Sequence, residues 1–303
     1  MKIISNTTEF YLGGETAVAI GKFDGVHLGH RRLLWEINEQ KKRGLMTCVF
    51  TFDPTPAVLF GMSDGKEITT KEEKRSIFEK LGVDILIEFP LTKETAAIQP
   101  ESFVKDILVK QMHTKFVAAG TDLSFGNKGA GNAALLTKLG QELKFQVKTI
   151  DKISVDGIEV SSTYIRKLIE NGEMEQTVKM LGMPYLIKGK VVHGNRIGRT
   201  LGFPTVNLLP GAEKLLPPNG VYRSEVLVGT RMYQAITNIG CKPTVAEEKK
   251  VVGAESYLYD FSEEIYDREI EVSLYEFKRP ERQFASLDEL KQQLKKDIEE
   301  GKK

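Results

Sequence analysis

The sequence predicts two domains of unlike fold, an α/β domain built on a parallel sheet and an antiparallel β-barrel with a terminal helix. The chain has 303 residues, which is about twice the usual size of one domain. Short apolar runs alternate with helical patterns up to residue 183, whereas glycines punctuate strand-like runs in the remainder. We therefore expect the first domain to cover residues 1–183 and the second to cover residues 184–303.

The first domain is expected to hold a mostly parallel sheet with helices on both faces. Short runs with the apolar character of buried strands alternate with helical patterns, and such alternation requires crossover connections. Ligands of such sheets bind outside the carboxyl ends of the strands, so motifs that follow strands are the best site candidates. The expected strands are residues 17–23, 46–52, 83–89, 115–121 and 145–150, and the expected helices are residues 30–43, 70–81, 100–113 and 133–143.

The second domain is expected to be an antiparallel barrel, with a sandwich as the alternative, because no helix-length pattern separates its strand-like runs. Ser286 with Glu289 three residues later forms a capping-box pattern ahead of leucines at helical spacing. A helix should therefore close the chain. The expected strands are residues 186–194, 220–229, 232–240, 254–261 and 268–277.

Charge and cysteine content exclude several classes of protein. The chain has 43 Lys and Arg against 42 Asp and Glu, whereas nucleic-acid-binding proteins usually show a strong basic excess, so we expect no nucleic-acid partner. Cys48 and Cys241 are the only cysteines, which argues against a disulfide framework or a thiolate metal site within one chain. No stretch approaches ~18 apolar residues and the N-terminal segment lacks a secretory pattern. We expect a cytoplasmic protein without a membrane partner, and the oligomeric state stays open.

A glycine-containing turn with two histidines follows the first expected strand. Its glycines allow backbone to approach a ligand, and the histidines flank the expected start of a helix. Free N–H groups at a helix start favour anions, and imidazoles add donors for phosphate oxygens. The turn therefore predicts phosphate binding, with helix capping and packing as the structural alternative for either histidine alone. The candidate contacts are Gly21, Phe23, Asp24, His27, Gly29 and His30.

Three further motifs follow strands or open a helix in the first domain. Asp122, at a strand end, is suited to hold a ribose hydroxyl or a ring nitrogen. Ser161, Ser162 and Thr163 place hydroxyls at a helix start, and Arg166 one turn inside can reach a triphosphate. A plain N-cap is the alternative for the serines alone, but the ordered set of motifs favours a nucleotide site. The motifs are TFDPTP (51–56), GTDLSFG (120–126) and SSTYIRKLI (161–169).

The first half of the chain resembles nucleotidyltransferases with an HxGH signature. The complete motif set resembles the N-terminal adenylyltransferase domain of the bacterial bifunctional riboflavin kinase/FAD synthetase family. This resemblance implies a Rossmann-like sheet, ATP phosphates at His27 and His30, and a nucleotide contact at Asp122. It also assigns the triphosphate and the leaving pyrophosphate to the group Ser161, Thr163 and Arg166.

The second half contains a loop and an extended segment that suit a metal-bound polyphosphate. Glycines and arginines in the loop can surround phosphates with backbone amides and guanidinium groups. Thr205 and Asn207 follow, two residues apart, so in an extended chain both point to one side and offer hard oxygen ligands for Mg²⁺. A hairpin rich in turn residues is the structural alternative. The loop candidates are Gly194, Arg196, Gly198, Arg199, Gly202 and Pro204.

Glu255 is the candidate general base, because it lies in an otherwise apolar and aromatic strand-like run where an unpaired carboxylate is costly to bury. Strand alternation puts Glu255 and Tyr257 on one face and Ser256 and Leu258 on the other, without showing which face is inside. A solvated strand face is the structural alternative.

The second half resembles the riboflavin kinase domain of the same family, including its GRTLGFPTxN run. The resemblance implies that Thr205 and Asn207 bind Mg²⁺-ATP and that Glu255 accepts the proton of the ribityl 5′-hydroxyl. The sequence departs from common members at Lys22 and Thr55, in the GNRIG loop, and at Tyr257, where His is common.

Together the resemblances imply that one chain phosphorylates riboflavin to FMN and adenylylates FMN to FAD. The implied small molecules are ATP, riboflavin, FMN and FAD, with Mg²⁺ as cofactor. Two alternatives stay open at this point: a chain that retains only one activity, and a flavin- or nucleotide-binding regulator without turnover.

Overall fold

The structure is a computed structural model, which describes residues 1–194, 201–242 and 251–302. The chain forms two compact units. The N-terminal unit comprises Met1–Lys66 and Lys74–Ser161, and the C-terminal unit comprises Glu67–Glu73 and Ser162–Lys303.

The N-terminal unit is built on a six-stranded, entirely parallel sheet, as predicted. The sheet strands are β1 (Lys2–Ser5), β2 (Thr16–Ile20), β3 (Met46–Asp53), β4 (Ile85–Pro90), β5 (Thr114–Gly120) and β8 (Gln146–Ile150). Their order in the sheet is β1-β4-β3-β2-β5-β8, and the central strands are completely buried at positions such as Val18, Phe50 and Val117. Strand β1 lies at the edge and was not predicted.

Helices connect the sheet strands, and two small hairpins extend from the unit. The predicted helix over residues 100–113 is in fact a short α-helical turn, α4 (Pro100–Ser102), continued by a π-helix, Phe103–Gln111. The other helices are α1 (Leu28–Glu39), α2 (Pro56–Leu59), α3 (Lys71–Lys80) and α5 (Ala133–Leu143), and the hairpin strands are β6 (Ser124–Phe125), β7 (Gly131–Asn132), β9 (Ser154–Val155) and β10 (Ile158–Glu159).

The C-terminal unit contains a closed antiparallel barrel, which decides between the barrel and the sandwich. The strands are β11 (Tyr185–Val192), β12 (Val206–Leu208), β13 (Gly220–Val228), β14 (Arg231–Lys242), β15 (Val251–Leu258) and β16 (Glu269–Pro280). Their order around the barrel is β11-β12-β15-β14-β13-β16, and β16 pairs with β11 to close the ring.

The terminal helix is α8 (Leu287–Gly301), and its start confirms the predicted capping box. The Glu289 N–H donates to Ser286 Oγ at 3.2 Å, and the Ala285 N–H donates to the Glu289 carboxylate at 3.0 Å. The first bond satisfies one of the amide groups that a helix start leaves without an intrahelical partner, whereas the second reaches Ala285, one residue before the N-cap residue Ser286.

One face of β15, the one that carries Ser256 and Leu258, points into the barrel. Ser256 and Leu258 are 1% and 3% exposed, and the Ser256 hydroxyl lies 2.8 Å from Thr237 Oγ1 inside the barrel. Strand alternation then places Glu255 and Tyr257 on the outer face, where both are half-buried. The candidate base therefore lies on the outside of the barrel wall.

Two helices and one short segment pack with the barrel although they precede it in sequence. Helices α6 (Ser162–Asn171) and α7 (Met174–Leu181) belong to the C-terminal unit, and α7 contacts β11 and β16. The segment Glu67–Glu73, called the strap below, belongs there as well. The compact units divide between Ser161 and Ser162, and the domain boundary at residue 183 remains a prediction.

A buried ion pair holds the strap. Lys214 Nζ donates to Glu73 Oε2 and to the Ile68 carbonyl, both at 2.7 Å, and lies 4.2 Å from the centre of the Tyr185 ring. The carboxylate also accepts the backbone N–H groups of Thr70 and Lys188, at 2.9 and 3.0 Å. Both charged side chains are almost fully buried, so each depends on the other for its compensation.

Candidate active sites

The first candidate site is a strained turn that follows β2. The Gly21 N–H donates to the Phe50 carbonyl at 3.2 Å, which fixes the start of the turn to β3. Gly25 has φ 86°, and the non-glycine residues Phe23 and Val26 have φ of 53° and 43°. Such strain persists only where surrounding structure holds it, and it is common at ligand sites. The Phe23 side chain is fully buried and so anchors the turn in the interior of the unit.

The two predicted histidines come together at the start of α1. His27 is the N-cap residue, and its Nδ1 accepts the backbone N–H of His30 at 3.4 Å. The two rings stack with centroids 3.7 Å apart, and the Phe23 ring lies 5.1 Å from that of His30. A Cβ on Gly29 would lie 3.2 Å from the His27 ring, so glycine leaves room for the stack. The predicted pairing of the imidazoles is thus present, and His27 caps the helix as well.

Both imidazoles are neutral near pH 7. Burial lowers the pKa of His27 to about 4, although the charges of Asp24 and Asp122 act in the opposite direction. Burial also holds the pKa of His30 well below its usual value, and the positive charges of His27, when protonated, and of Lys74 act in the same direction. A neutral imidazole keeps one N–H donor, and because His27 Nδ1 accepts a bond, its proton is assigned to Nε2. The pair therefore offers N–H donors without two fixed charges.

Asp122 follows β5, and its carboxylate approaches Gly120, the last residue of that strand. Its Oδ1 lies 2.7 Å from the position that a Cβ on Gly120 would occupy. Lys152 Nζ lies 3.8 Å from Asp122 Oδ2 and 2.6 Å from Glu159 Oε1, and so links Asp122 to the β9–β10 hairpin. Sequence reasoning missed Lys152. The Asp-Gly pair at residues 156–157 could have predicted the hairpin, but no local pattern indicates that Lys152 lies near Asp122.

The serine motif lies at the start of α6. Ser161 immediately precedes the helix, Ser162 and Thr163 occupy its first turn, and Arg166 lies one turn inside, as the sequence predicted. Their contacts with a triphosphate remain predictions. Among the positions that depart from the common family pattern, Lys22 is exposed, and Thr55 is the N-cap residue of α2.

The second candidate site lies on the outer face of the barrel, where β12 meets β15. Asn207 is paired directly with Glu255, and Thr205 Oγ1 donates to Glu255 Oε1 at 2.5 Å. A Cβ on Gly194 would lie 2.5 Å from Asn207 Nδ2, so only a glycine here leaves room for the Asn207 amide beside the end of β11. The structure thus brings together the three residues predicted as metal ligands and base.

The remaining predictions for this site divide into two groups. Pro204 is exposed beside Thr205, and Gly202 adopts φ 89°, a conformation that favours glycine. Arg196, Gly198 and Arg199 lie outside the described residues. Sequence reasoning noted Tyr257 as a departure but missed its contact with Phe203, because no sequence period relates two segments so far apart.

The donor atoms of the second site suit Mg²⁺ shared with phosphates. Thr205 offers a hydroxyl oxygen, Asn207 an amide oxygen and Glu255 a carboxylate, all of which are hard ligands. Within residues 1–194, 201–242 and 251–302, no group of three or more His, Cys, Asp or Glu side chains could hold a metal ion. A cation held by these oxygen atoms would take the rest of its shell from water and from phosphate oxygens.

The cysteines take no part in either site. Cys48 is buried in the sheet, where burial raises the pKa of its thiol, and Cys241 is exposed on β14. Among the described helices, none has the length and apolar character needed to cross a membrane.

Comparison with known proteins gives a consistent result for both units. Family models match residues 12–164, described as FAD synthetase, and residues 181–303, described as riboflavin kinase. A bifunctional riboflavin kinase/FMN adenylyltransferase from Listeria monocytogenes is 37% identical over 96% of this chain and 93% of its own length. The Escherichia coli K12 protein of the same description is 38% identical over 92% of this chain and 90% of its own.

A solved structure shares the whole fold. It comes from Streptococcus pneumoniae, is described as a macrolide-efflux protein, and is 28% identical to this chain. The likeness covers 99% of this chain and 98% of the other with a TM-score of 0.87. The two family models and the full-length relatives agree with each other, and the chain belongs to the bifunctional riboflavin kinase/FMN adenylyltransferase family.

Proposed function

We propose that this chain makes FMN from riboflavin at the barrel site and then makes FAD from FMN at the histidine site. The observation that carries the proposal is the presence of both reactive clusters in one chain. The first is Thr205, Asn207 and Glu255 on the barrel wall, and the second is His27 with His30 at the start of α1. We assign the kinase to residues 184–303 and the adenylyltransferase to residues 1–183.

In the kinase step, Glu255 is the general base. It accepts the proton of the ribityl 5′-hydroxyl as that oxygen attacks the γ-phosphate of ATP, and ADP leaves. Thr205 and Asn207 would hold Mg²⁺, which would neutralise phosphate charge. The Thr205 hydroxyl also fixes one carboxylate oxygen of Glu255 at 2.5 Å, which orients the base. Positioning and charge stabilisation supply most of the catalysis in phosphoryl transfer of this kind.

In the adenylyl step, a phosphate oxygen of FMN attacks the α-phosphate of ATP and pyrophosphate leaves. No covalent enzyme intermediate is required. Neutral His27 and His30 donate N–H groups to phosphate oxygens as negative charge builds up there. We assign the triphosphate also to Ser161, Ser162, Thr163 and Arg166, and the nucleoside to Asp122.

The proposed partners are small molecules only: ATP, riboflavin and FMN, in the cytoplasm. The phosphate groups of these substrates are held by local loops and helix starts. A balance of 43 basic against 42 acidic residues is compatible with such local binding.

The test is incubation of the purified chain with riboflavin, ATP and MgCl₂, followed by chromatographic separation of FMN and FAD. Omission of MgCl₂ with added EDTA should abolish both products. If neither product forms with Mg²⁺ but flavin still binds, the chain is a binding protein and the proposal is wrong.

Two single substitutions separate the sites. Glu255→Gln should lower the rate of FMN formation by about 10²-fold or more, because general bases contribute about 10²–10⁴-fold. His30→Ala should lower the rate of FAD formation from supplied FMN by about 10²-fold or more, as the loss of a transition-state donor does elsewhere. Each variant should leave the other reaction unchanged. Loss of both reactions in both variants would contradict two independent sites.

A further inference from the structure

An aromatic contact lies next to the catalytic hydrogen bond of the barrel site. The ring of Tyr257 on β15 and the ring of Phe203 meet edge to face, with centroids 6.1 Å apart and an interplanar angle of 74°. Both side chains are half-buried. Neither has a place in the reaction described so far.

The loop and strand β15 also make a second contact, the hydrogen bond from Thr205 to Glu255, two residues away from the aromatic contact in each segment. Phe203 precedes Thr205 by two residues, and Tyr257 follows Glu255 by two residues. Because side chains alternate along a strand, Tyr257 lies on the same outer face of β15 as Glu255. The ring contact and the bond from Thr205 to Glu255 are therefore adjacent links between one loop and one strand.

Tyr257 also contacts a second aromatic ring, that of Tyr259. Its ring packs against Tyr259 at 5.6 Å, with an interplanar angle of 88°. The Tyr259 hydroxyl donates to the Ile298 carbonyl of α8 at 2.6 Å, and Tyr259 is buried with Ile236. Tyr257 is thus an extension of the hydrophobic layer between the barrel and α8.

The described part of the loop that carries Phe203, residues 201–205, has few backbone anchors. Gly202 adopts a positive φ, and Pro204 has no N–H to donate to a neighbouring strand. Regular pairing starts only at Val206, the first residue of β12. Side-chain contacts of Phe203 and Thr205 are therefore the means by which the described part of this loop is held on β15.

We propose that Tyr257 is a positioning residue for the kinase step. Its ring holds Phe203 and thereby keeps Thr205 within hydrogen-bonding distance of Glu255. The inference rests on the proposed function, since it takes Thr205 as a ligand of Mg²⁺-ATP. Tyr257 replaces a histidine that is common in the family. Its ring still provides an aromatic face for the contact with Phe203.

The experiment measures steady-state FMN formation by full-length variants. Tyr257→Leu should lower kcat/KM for Mg²⁺-ATP by about fivefold to tenfold, the scale of one aromatic pair, through a higher KM for Mg²⁺-ATP and a lower kcat, because Thr205 both holds Mg²⁺-ATP and orients Glu255. KM for riboflavin should change much less, because the acceptor does not bind through Thr205. Tyr257→Phe should retain wild-type kinetics, since the ring and not the hydroxyl makes the contact. Equal losses in the Phe and Leu variants would overturn the proposal.

A double-mutant cycle tests the contact itself. Phe203→Leu should reproduce the effect of Tyr257→Leu, and the double variant should be little worse than either single one, because coupled residues are not additive. Additive losses, or an unchanged Phe203→Leu variant, would contradict the proposal. If Tyr257→Leu folds poorly, Phe203→Leu alone still tests the proposal, since Phe203 lies in the loop rather than in a barrel strand.

Two controls separate this outcome from other failures. Tyr233→Leu removes a matched aromatic contact on the same barrel, with Phe261 at 5.0 Å, and should leave FMN formation unchanged. FAD formation from supplied FMN should be unchanged in every variant. If the wild-type chain makes no FMN, the proposed function fails; if it does and Tyr257→Leu matches it, only the positioning role fails.

Discussion

At the scale of single residues, the stacked imidazoles make a prediction about pH. The pKa of His27 is about 4 in the folded chain and about 6.5 in an unfolded one. Between these values the unfolded state binds more protons, so stability falls as the pH is lowered from about 6.5 to about 4. The full difference corresponds to at most about 3 kcal/mol.

The measurement is urea unfolding of the N-terminal unit at pH 7 and pH 5, followed for the wild type and for His27→Asn. Stability should decrease more steeply toward pH 5 in the wild type, because asparagine has no proton to bind. Equal slopes for the wild type and His27→Asn would contradict the neutral, buried imidazole.

Gly120 makes a second prediction at this scale. A Cβ at this position would lie 2.7 Å from Asp122 Oδ1, so Gly120→Ala must displace the carboxylate. We expect KM for ATP in FAD formation to rise about tenfold, the size of one charge-assisted hydrogen bond of about 1.4 kcal/mol. FMN formation should not change. Gly13→Ala is the matched control, because a Cβ on Gly13 meets nothing within 4 Å.

At the scale of elements, the strap should contribute strongly to the stability of the barrel. Lys214→Met would leave the Glu73 carboxylate buried without its counter-charge, which typically costs about 3–5 kcal/mol. Thermal unfolding of the C-terminal unit should show a large decrease in Tm. Restoring a neutral environment with Lys214→Met and Glu73→Leu together should recover much of the loss, since an apolar pair of similar size is often tolerated.

The control for this prediction is a more exposed ion pair of the same barrel. Lys278 lies 3.0 Å from Glu276, with 24% and 32% of the side chains exposed. Lys278→Met should change stability by about 1 kcal/mol or less, as is usual for exposed pairs. Comparable losses in the two Lys→Met variants would argue against a special role for the strap.

The elements also show how far the sequence could predict this molecule. Apolar strands such as β3 and β5 were predicted to within one residue, because burial on both faces leaves a continuous apolar run. Edge strand β1 was missed, since its first two residues are exposed. Period-2 alternation indicated two faces for β15 but not the inner one, which depends on the closure of the barrel.

In the two sites as well, residues close in sequence could be predicted and contacts between distant segments could not. His27 with His30 and Thr205 with Asn207 are each close in sequence, so local spacing revealed them. Lys152 near Asp122 and Tyr257 against Phe203 depend on contacts between distant stretches of chain. Such partners are set by the packing of whole elements, which no local pattern contains.

At the scale of the whole molecule, a single truncation cannot separate the two compact units, because the strap lies within the N-terminal part of the chain but belongs to the C-terminal unit. A fragment that starts at residue 184 would include the barrel but would lack α6, α7 and the carboxylate that neutralises Lys214. A fragment that ends at residue 183 would carry the strap without the structure that buries it. A free-standing kinase fragment derived from this chain would therefore first need a substitute for Glu73, so that Lys214 is not left buried without a counter-charge.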